Sequence, residues 1–191
     1  MKHVVVIAGP AGSGKDSLIR GIIAKYPNAA FGITATTRAP RPGEVHGVNY
    51  FFLSKEEFLK GIESGDIPEH YHRPETDTYY GLYKPYLDQE VAKGHVVLYQ
   101  IQIVGARYLK EHCDATTIFI MPSSLESLER RIRERAPMSD AEWNERLEFT
   151  KRELAEEAPW YDFQIANEDG KLDDAIASVV EILRKEGYTL E

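Results

Sequence analysis

A single cysteine, Cys113, occurs among 191 residues. An internal disulfide is therefore excluded, and no Cys/His group has the spacing of a zinc site. Such a chain suits a reducing compartment, and a cytoplasmic location is expected. No apolar run approaches the roughly 20 residues that a bilayer-spanning helix needs. The apolar stretch from Val4 to Ala8 is short and runs into a glycine loop, so it reads as a buried strand rather than a signal peptide. Internal repeats and low-complexity tracts are missing as well. Positive charge is in short supply: 23 Lys and Arg stand against 31 Asp and Glu, a net charge of −8. Nucleic-acid backbones and anionic membrane surfaces repel a chain of that sign, so neither is expected as a partner. A small anionic substrate is not excluded, because it responds to the local field of a cleft. The placement of the arginines then decides.

What is present suits one soluble domain with a real core: 42% of residues are hydrophobic and 28% charged. Val4 to Ala8 predicts a first strand, and Lys15 to Lys25 a helix with Leu18, Ile19, Ile22 and Ile23 on one face. Ser54 and Glu57 form a capping box that opens a helix ending near Gly65. Lys84 to Lys93 reads as a helix, and His95 to Ile101 and Thr116 to Met121 as core strands. Ser123/Glu126 and Ser139/Glu142 form two further capping boxes, with Ala136-Pro137 separating their helices. Phe163 to Ala166 reads as the last strand and Leu172 to Lys185 as the last helix. Strands alternating with helices predict an α/β fold whose parallel sheet is covered on both faces. Residues 34–85 interrupt the alternation with short extended pieces and are expected to form an inserted lobe. The histidines His70 and His72 read as packing or surface residues, and Trp143, Trp160 and Phe149 as packing residues.

Gly9, Pro10, Ala11, Gly12, Ser13, Gly14 and Lys15 follow a strand and precede a helix, the context a phosphate-binding loop requires. Glycines let consecutive backbone N–H groups turn inward around phosphate oxygens, and the helix points its positive end at the same anion. Lys15 adds a point charge for the β- and γ-phosphates of ATP. Asp16 replaces the usual hydroxyl residue after the lysine, and Ser17 follows. Asp16 and Ser17 are thus the candidates for the shell of Mg²⁺, the expected metal partner of ATP. A second stretch carries Arg38 and Arg41, stiffened by Pro40 and Pro42. Fixed guanidinium forks suit capture of a second phosphate, with Glu44 to orient one of them and Tyr50 and Tyr80 to add hydroxyl donors.

Together these residues make the chain resemble the guanylate kinase family. The resemblance rests on Gly9 to Lys15, Thr37-Arg38-x-Pro40-Arg41-x-Gly43-Glu44, Gly47 to Tyr50, Glu69, Tyr79-Tyr80-Gly81, Gly105, Arg131, Arg135, Arg146 and Asn167, in order over nearly the whole chain. It implies a P-loop three-layer fold. Residues 1–33 and 86–191 would form the core, with a helical lid over about 122–150, and 34–85 the monophosphate-binding lobe. It further implies that Arg38, Arg41, Tyr50 and Tyr80 grip the acceptor phosphate and that Thr34 and Glu69 read the base. Lys15, Arg131, Arg135 and Arg146 would line the phosphoryl path, and Asn167 would lie near the adenine nucleotide. The implied activity is phosphorylation of GMP or dGMP by ATP, in a monomer or homodimer.

Several positions depart from the family pattern. Gln100 and Gln102 stand where it carries two acidic residues, Val104 where it carries glutamine, and Leu82 where it carries a hydroxyl. The segment Arg73 to Thr78 is longer, and Ala136-Pro137 replaces a common Gly-Thr. An amide both donates and accepts hydrogen bonds while an ionised carboxylate only accepts, so Gln100 and Gln102 belong among the candidate acceptor-binding residues. The changes leave open another purine monophosphate sharing the 2-amino group. They also leave open a kinase of ribose 1,5-bisphosphate, whose phosphate loops can share Gly-Lys-Asp-Ser-Leu, and a non-catalytic interaction module.

Overall fold

The computed structural model describes residues 2–135 and 138–191, except that the Arg135 side chain lies outside the description. Five strands form a parallel sheet: β1 (Val4–Ala8), β2 (Ala29–Gly32), β7 (Val96–Tyr99), β8 (Thr116–Pro122) and β9 (Phe163–Asn167), in the order β2-β7-β1-β8-β9. Every residue of β1 is buried, because helices cover both faces of the sheet. Strand alternation sends Val5 and Ile7 to one side, where they meet Leu18, Ile19 and Ile22 of α1 (Lys15–Lys25) and Ile176, Val179 and Leu183 of α7 (Leu172–Lys185). Val4 and Val6 go to the other, against Leu87 of α3 (Lys84–Ala92) and Ala106 and Leu109 of α4 (Ile103–Cys113). This is the α/β sheet expected from the sequence.

A second sheet holds β3 (Ala35–Thr36), β4 (Phe51–Phe52), β5 (His70–Arg73) and β6 (Thr78–Gly81) in the order β4-β3-β6-β5. Helix α2 (Lys55–Ser64) covers it, burying Phe58 against Ala35 and Ile67. Its capping box forms: Ser54 Oγ accepts from the Glu57 N–H at 3.1 Å and Glu57 Oε2 from the Ser54 N–H at 2.7 Å. Gly65 ends the helix in the left-handed conformation.

Two helices follow β8: α5 (Leu125–Arg135) and α6 (Asp140–Arg152). Ser139 and Glu142 cap α6 reciprocally as expected. In place of the box expected at Ser123/Glu126, a single cap bond forms one residue further on. Ser124 is the cap, its hydroxyl accepting from the Ser127 N–H at 3.1 Å. Ala136-Pro137, expected to part the two helices, lies outside the described residues. Trp143 is buried between them with Leu128 and Ile132, but Phe149 is 56% exposed and faces a cleft rather than the core. Helix α4 was not apparent in the sequence: Gly105 interrupts its apolar pattern, and Gln102 makes no capping bond. Past α6 the backbone widens into a π-turn over Glu153–Glu157, a feature without a sequence signature and often found beside functional sites.

Candidate active site

The phosphate loop, Gln100 and Asn167 follow or end β1, β7 and β9, so they gather at the carboxyl edge of the sheet, where α/β folds bind ligands. In the loop, Gly9 has φ +143 and a Cβ there would meet the Ile120 carbonyl at 2.5 Å. Gly14 has φ +87 and a Cβ would meet Asn167 Nδ2 at 2.3 Å. Both positions require glycine for conformation and for space. Gly14 is also the N-cap of α1 and provides no side-chain cap, which leaves the first N–H groups of the helix for an anion. Asn167, buried, donates to the Ser13 carbonyl at 2.7 Å and so ties β9 to the loop. Lys15 Nζ donates to the Pro10 carbonyl at 3.2 Å.

Three connected spaces meet here. A cavity of about 520 Å³ is lined by Ala11, Gly12, Gly14, Lys15, Asp16, Ser17, Arg131 and Asn167. A central cleft of about 980 Å³ is lined by Gly9, Lys15, Gln100, Gln102, Arg146, Phe149 and Glu153. A smaller cavity of about 270 Å³ is lined by Thr34, Tyr50, Glu69, Tyr80, Gln100, Gln102 and Val104. Gln100 lines all three and marks their junction. Lys15 is shared by the first two.

Arg131 reaches the loop from α5. Its guanidinium donates to the Gly12 and Asn167 carbonyls, each at 3.3 Å, and pairs with Asp169. Asp169 also holds Ser127 and Arg130, and the three partners lower its carboxyl pKa to about 2. Arg146 lines the central cleft together with Lys15. Arg135 is the one candidate whose side chain lies outside the described residues.

Beside the smaller cavity, Arg38 and Glu44 form a two-pronged pair, both contacts at 2.9 Å. Glu44 Oε2 accepts in addition from the Arg41 N–H at 2.7 Å. The Glu44 pKa is lowered, first by its bond to Arg38. The Arg38 guanidinium lies 5.5 Å from the Tyr50 ring centre, and its pKa is raised, first by its bond to Glu44 and further by Tyr80. Arg38 and Glu44 therefore form a preorganised pair beside Tyr50, a residue that lines the smaller cavity.

Glu69 lies half-buried, and desolvation raises its pKa to about 7 against the lowering bond from Leu82. A Cβ at residue 105 would lie 3.0 Å from Glu69 Oε2 and 2.3 Å from the Ile101 side chain, so glycine at 105 is what admits the carboxylate. Leu82 is buried in the core and does not reach the cavity. Glu153, on the π-turn, is likewise pushed up to about 7 by burial, with Glu157 adding and Lys15 opposing. The sequence reading missed Tyr71, Arg73, Glu153 and Asp169. Alternation from Glu69 along β5 was a signal for the first two, whereas nothing in the pattern marked the others. His70 and His72 do not line the cavity: His72 Nε2 pairs with Asp77 at 2.9 Å and stacks on Tyr79.

The family model for guanylate kinase matches residues 1–186. The chain belongs to the guanylate kinase family. A guanylate kinase of Synechococcus sp. (strain JA-3-3Ab) is 39% identical over 168 residues, 87% of this chain and 76% of that protein. One of Synechocystis sp. is 36% identical over 185 residues, 96% and 94% of the two chains. The crystal structure of guanylate kinase from Anaplasma phagocytophilum is 28% identical, with a TM-score of 0.68, covering 98% of this chain and 87% of that one. The protein is accordingly a nucleoside monophosphate kinase with ATP as phosphoryl donor. No helix among the described residues is long and apolar enough to cross a membrane.

Proposed function

We propose that the protein transfers the γ-phosphoryl group of Mg²⁺-ATP to GMP or dGMP, giving the diphosphate. The observation that carries this reading is the Glu69 carboxylate in a cavity that Tyr50 and Tyr80 also line, with the Arg38 guanidinium 5.5 Å from the Tyr50 ring centre. Ionised, Glu69 accepts from guanine N1–H and from the 2-amino group at once, a pair of donors that adenine lacks. With the base held there, Tyr50, Tyr80, Arg38 and Arg41 bind the acceptor phosphate.

The donor phosphates occupy the loop, where backbone N–H groups, the start of α1 and Lys15 hold them. Among the described residues no group of three or more His, Cys, Asp and Glu could hold a metal ion. This fits a metal that enters on the ATP phosphates, with Asp16 and Ser17 near its water shell. Asp16 and Ser17 would stand beside such a metal, which would supply positive charge to the phosphates. Lys15, Arg131 and Arg146 flank the moving group, and Arg135 belongs with them by its place on α5. Residues 34–85 act as the acceptor lobe and about 122–150 as the lid. Lid closure would cover the exposed Phe149 and exclude water that would otherwise hydrolyse ATP.

A second reading keeps the reaction and changes the base. Gln100 and Gln102 line the acceptor cavity as amides, and Leu82 offers no hydroxyl. A purine monophosphate with a 2-amino group and a different 6-substituent suits such a wall. The test is ADP release with Mg²⁺-ATP and a panel of GMP, dGMP, IMP, AMP, 2-aminoadenine monophosphates, UMP, CMP and ribose 1,5-bisphosphate. Turnover of GMP or dGMP above the rest is expected. Preference for a 2-aminoadenine monophosphate would favour the second reading, preference for ribose 1,5-bisphosphate would replace both, and silence would favour a non-catalytic module.

A further inference from the structure

Arg73 ends β5, where strand alternation puts it on the same face as Glu69 and Tyr71. All three line the acceptor cavity, while His70 and His72 between them do not. Arg73 also lines the central cleft with Lys15 and Arg146, and among the described residues it is the one arginine common to both spaces. Among the described residues its side chain makes neither a hydrogen bond nor an ion pair, and its charge acts on the neighbouring Tyr71. Along the β5–β6 ladder Tyr71 pairs with Tyr80, their rings stacked at 5.3 Å, and Arg73 stands one step further on. Four residues of strand, about 13 Å, separate it from Glu69. A base held at Glu69 therefore leaves Arg73 at the phosphate end of the acceptor.

Gln100 and Gln102 line both of the spaces that Arg73 lines. Carboxylates at those positions would draw the guanidinium into an ion pair inside the site. Amides carry no net charge and leave it to an incoming anion. We infer that Arg73 is a further phosphate-binding residue, and that Gln100 and Gln102 keep its guanidinium available to the substrate. The inference rests on the monophosphate-kinase reading above. In the transfer, an acceptor phosphate oxygen bonds to the γ-phosphorus as the bond from that phosphorus to the β–γ bridging oxygen breaks, releasing ADP. Arg73 donates hydrogen bonds to the acceptor and transferring oxygens and exchanges no proton. Glu142 and Glu145 of α6 and Glu153 and Glu157 beyond it line the same cleft, and Glu69 lines the smaller cavity; these carboxylates are the competing partners for this arginine.

The test compares wild type with Arg73→Met and Arg73→Lys. Calorimetry measures GMP, guanosine and ATP binding, steady-state assays measure turnover, and thermal unfolding checks the fold. Arg73→Met is expected to weaken GMP binding and lower kcat/KM on the order of 10- to 100-fold, with guanosine and ATP binding unchanged. Arg73→Lys recovers part of the loss. The Gln100→Glu, Gln102→Glu pair reproduces the loss in the wild-type background and adds little to Arg73→Met. Equal GMP binding and turnover in wild type and Arg73→Met would overturn this inference and leave the functional reading standing. An equal fall in guanosine and GMP binding would overturn it too, since it would mark a contact with α6 or a fold role. Wild type that binds no nucleoside monophosphate would sink the functional reading and this inference together.

Discussion

The phosphate loop hangs on β1, all five of whose residues are buried, whereas the acceptor cavity is walled by β5, none of whose four residues is. The loop side is made chiefly of backbone: glycines at positive φ, the first turn of α1 after its glycine N-cap, and carbonyls that fix Lys15 and Arg131. The acceptor side is made of side chains on a small sheet with a core of a few residues, Ala35, Phe58 and Ile67. Backbone recognition of polyphosphate tolerates little change in sequence. Side-chain recognition is rewritten one residue at a time, and Leu82, Gln100, Gln102 and Arg73 all lie on or beside that second surface.

The largest effect is expected at the phosphate loop. Lys15→Met is expected to lower kcat by on the order of 10³-fold while GMP affinity stays unchanged, since it removes charge from the moving phosphoryl group. Single-turnover kinetics with separate GMP titration checks both halves of the statement.

Next in size is Arg38→Met, which removes one fork from the acceptor phosphate and leaves Glu44 without its partner. GMP binding is expected to weaken on the order of 100-fold with ATP binding intact. An equal effect on both nucleotides in calorimetry would contradict a division into two surfaces.

The pH dependence tests Glu69 alone. Its pKa of about 7 exceeds the ordinary 4.5, so the folded protein holds this proton more firmly than the unfolded chain. The Glu69 contribution to stability is thus full below pH 4.5, declines as pH rises to about 7, and is level above that. On the proposed reading guanine binds the ionised form, so kcat/KM for GMP is expected to fall as pH drops below about 7. Glu69→Gln should remove that inflection and raise the unfolding temperature at pH 8 but not at pH 4. Any inflection remaining near 7 in that variant belongs to Glu153, the other carboxyl raised to about 7 in the cleft.

The smallest effect is expected at Asp169, which anchors Arg131 without lining any of the three spaces. Asp169→Ala should lower kcat by a few-fold, through a looser Arg131, with KM for both nucleotides nearly unchanged. A kcat equal to that of wild type would remove Asp169 from the account.

The donor side was largely legible in the sequence. A five-residue apolar strand, a glycine loop and an amphipathic helix are local patterns, and they determine where Lys15 stands. Glu44 was legible as a partner of one arginine because it lies six residues from Arg38, within one loop. Contacts between distant segments were not: Asn167 reaches Ser13 across 154 residues, and Asp169 reaches Arg131 across 38. Ordinary alternation marks Tyr71 and Arg73, but only the pairing of β5 with β6 turns that face toward the cavity. Helix α4 and the π-turn that carries Glu153 broke the expected periodicities and were lost for that reason.

The most direct measurement is kcat/KM for GMP relative to AMP, in wild type and in Glu69→Gln. A carboxylate that accepts two guanine donors in a desolvated cavity should give a preference for GMP of at least about 100-fold, and the amide variant should lose most of it. Equal use of GMP and AMP by wild type, or a preference that survives Glu69→Gln, would contradict the assignment of Glu69 as the residue that reads the base.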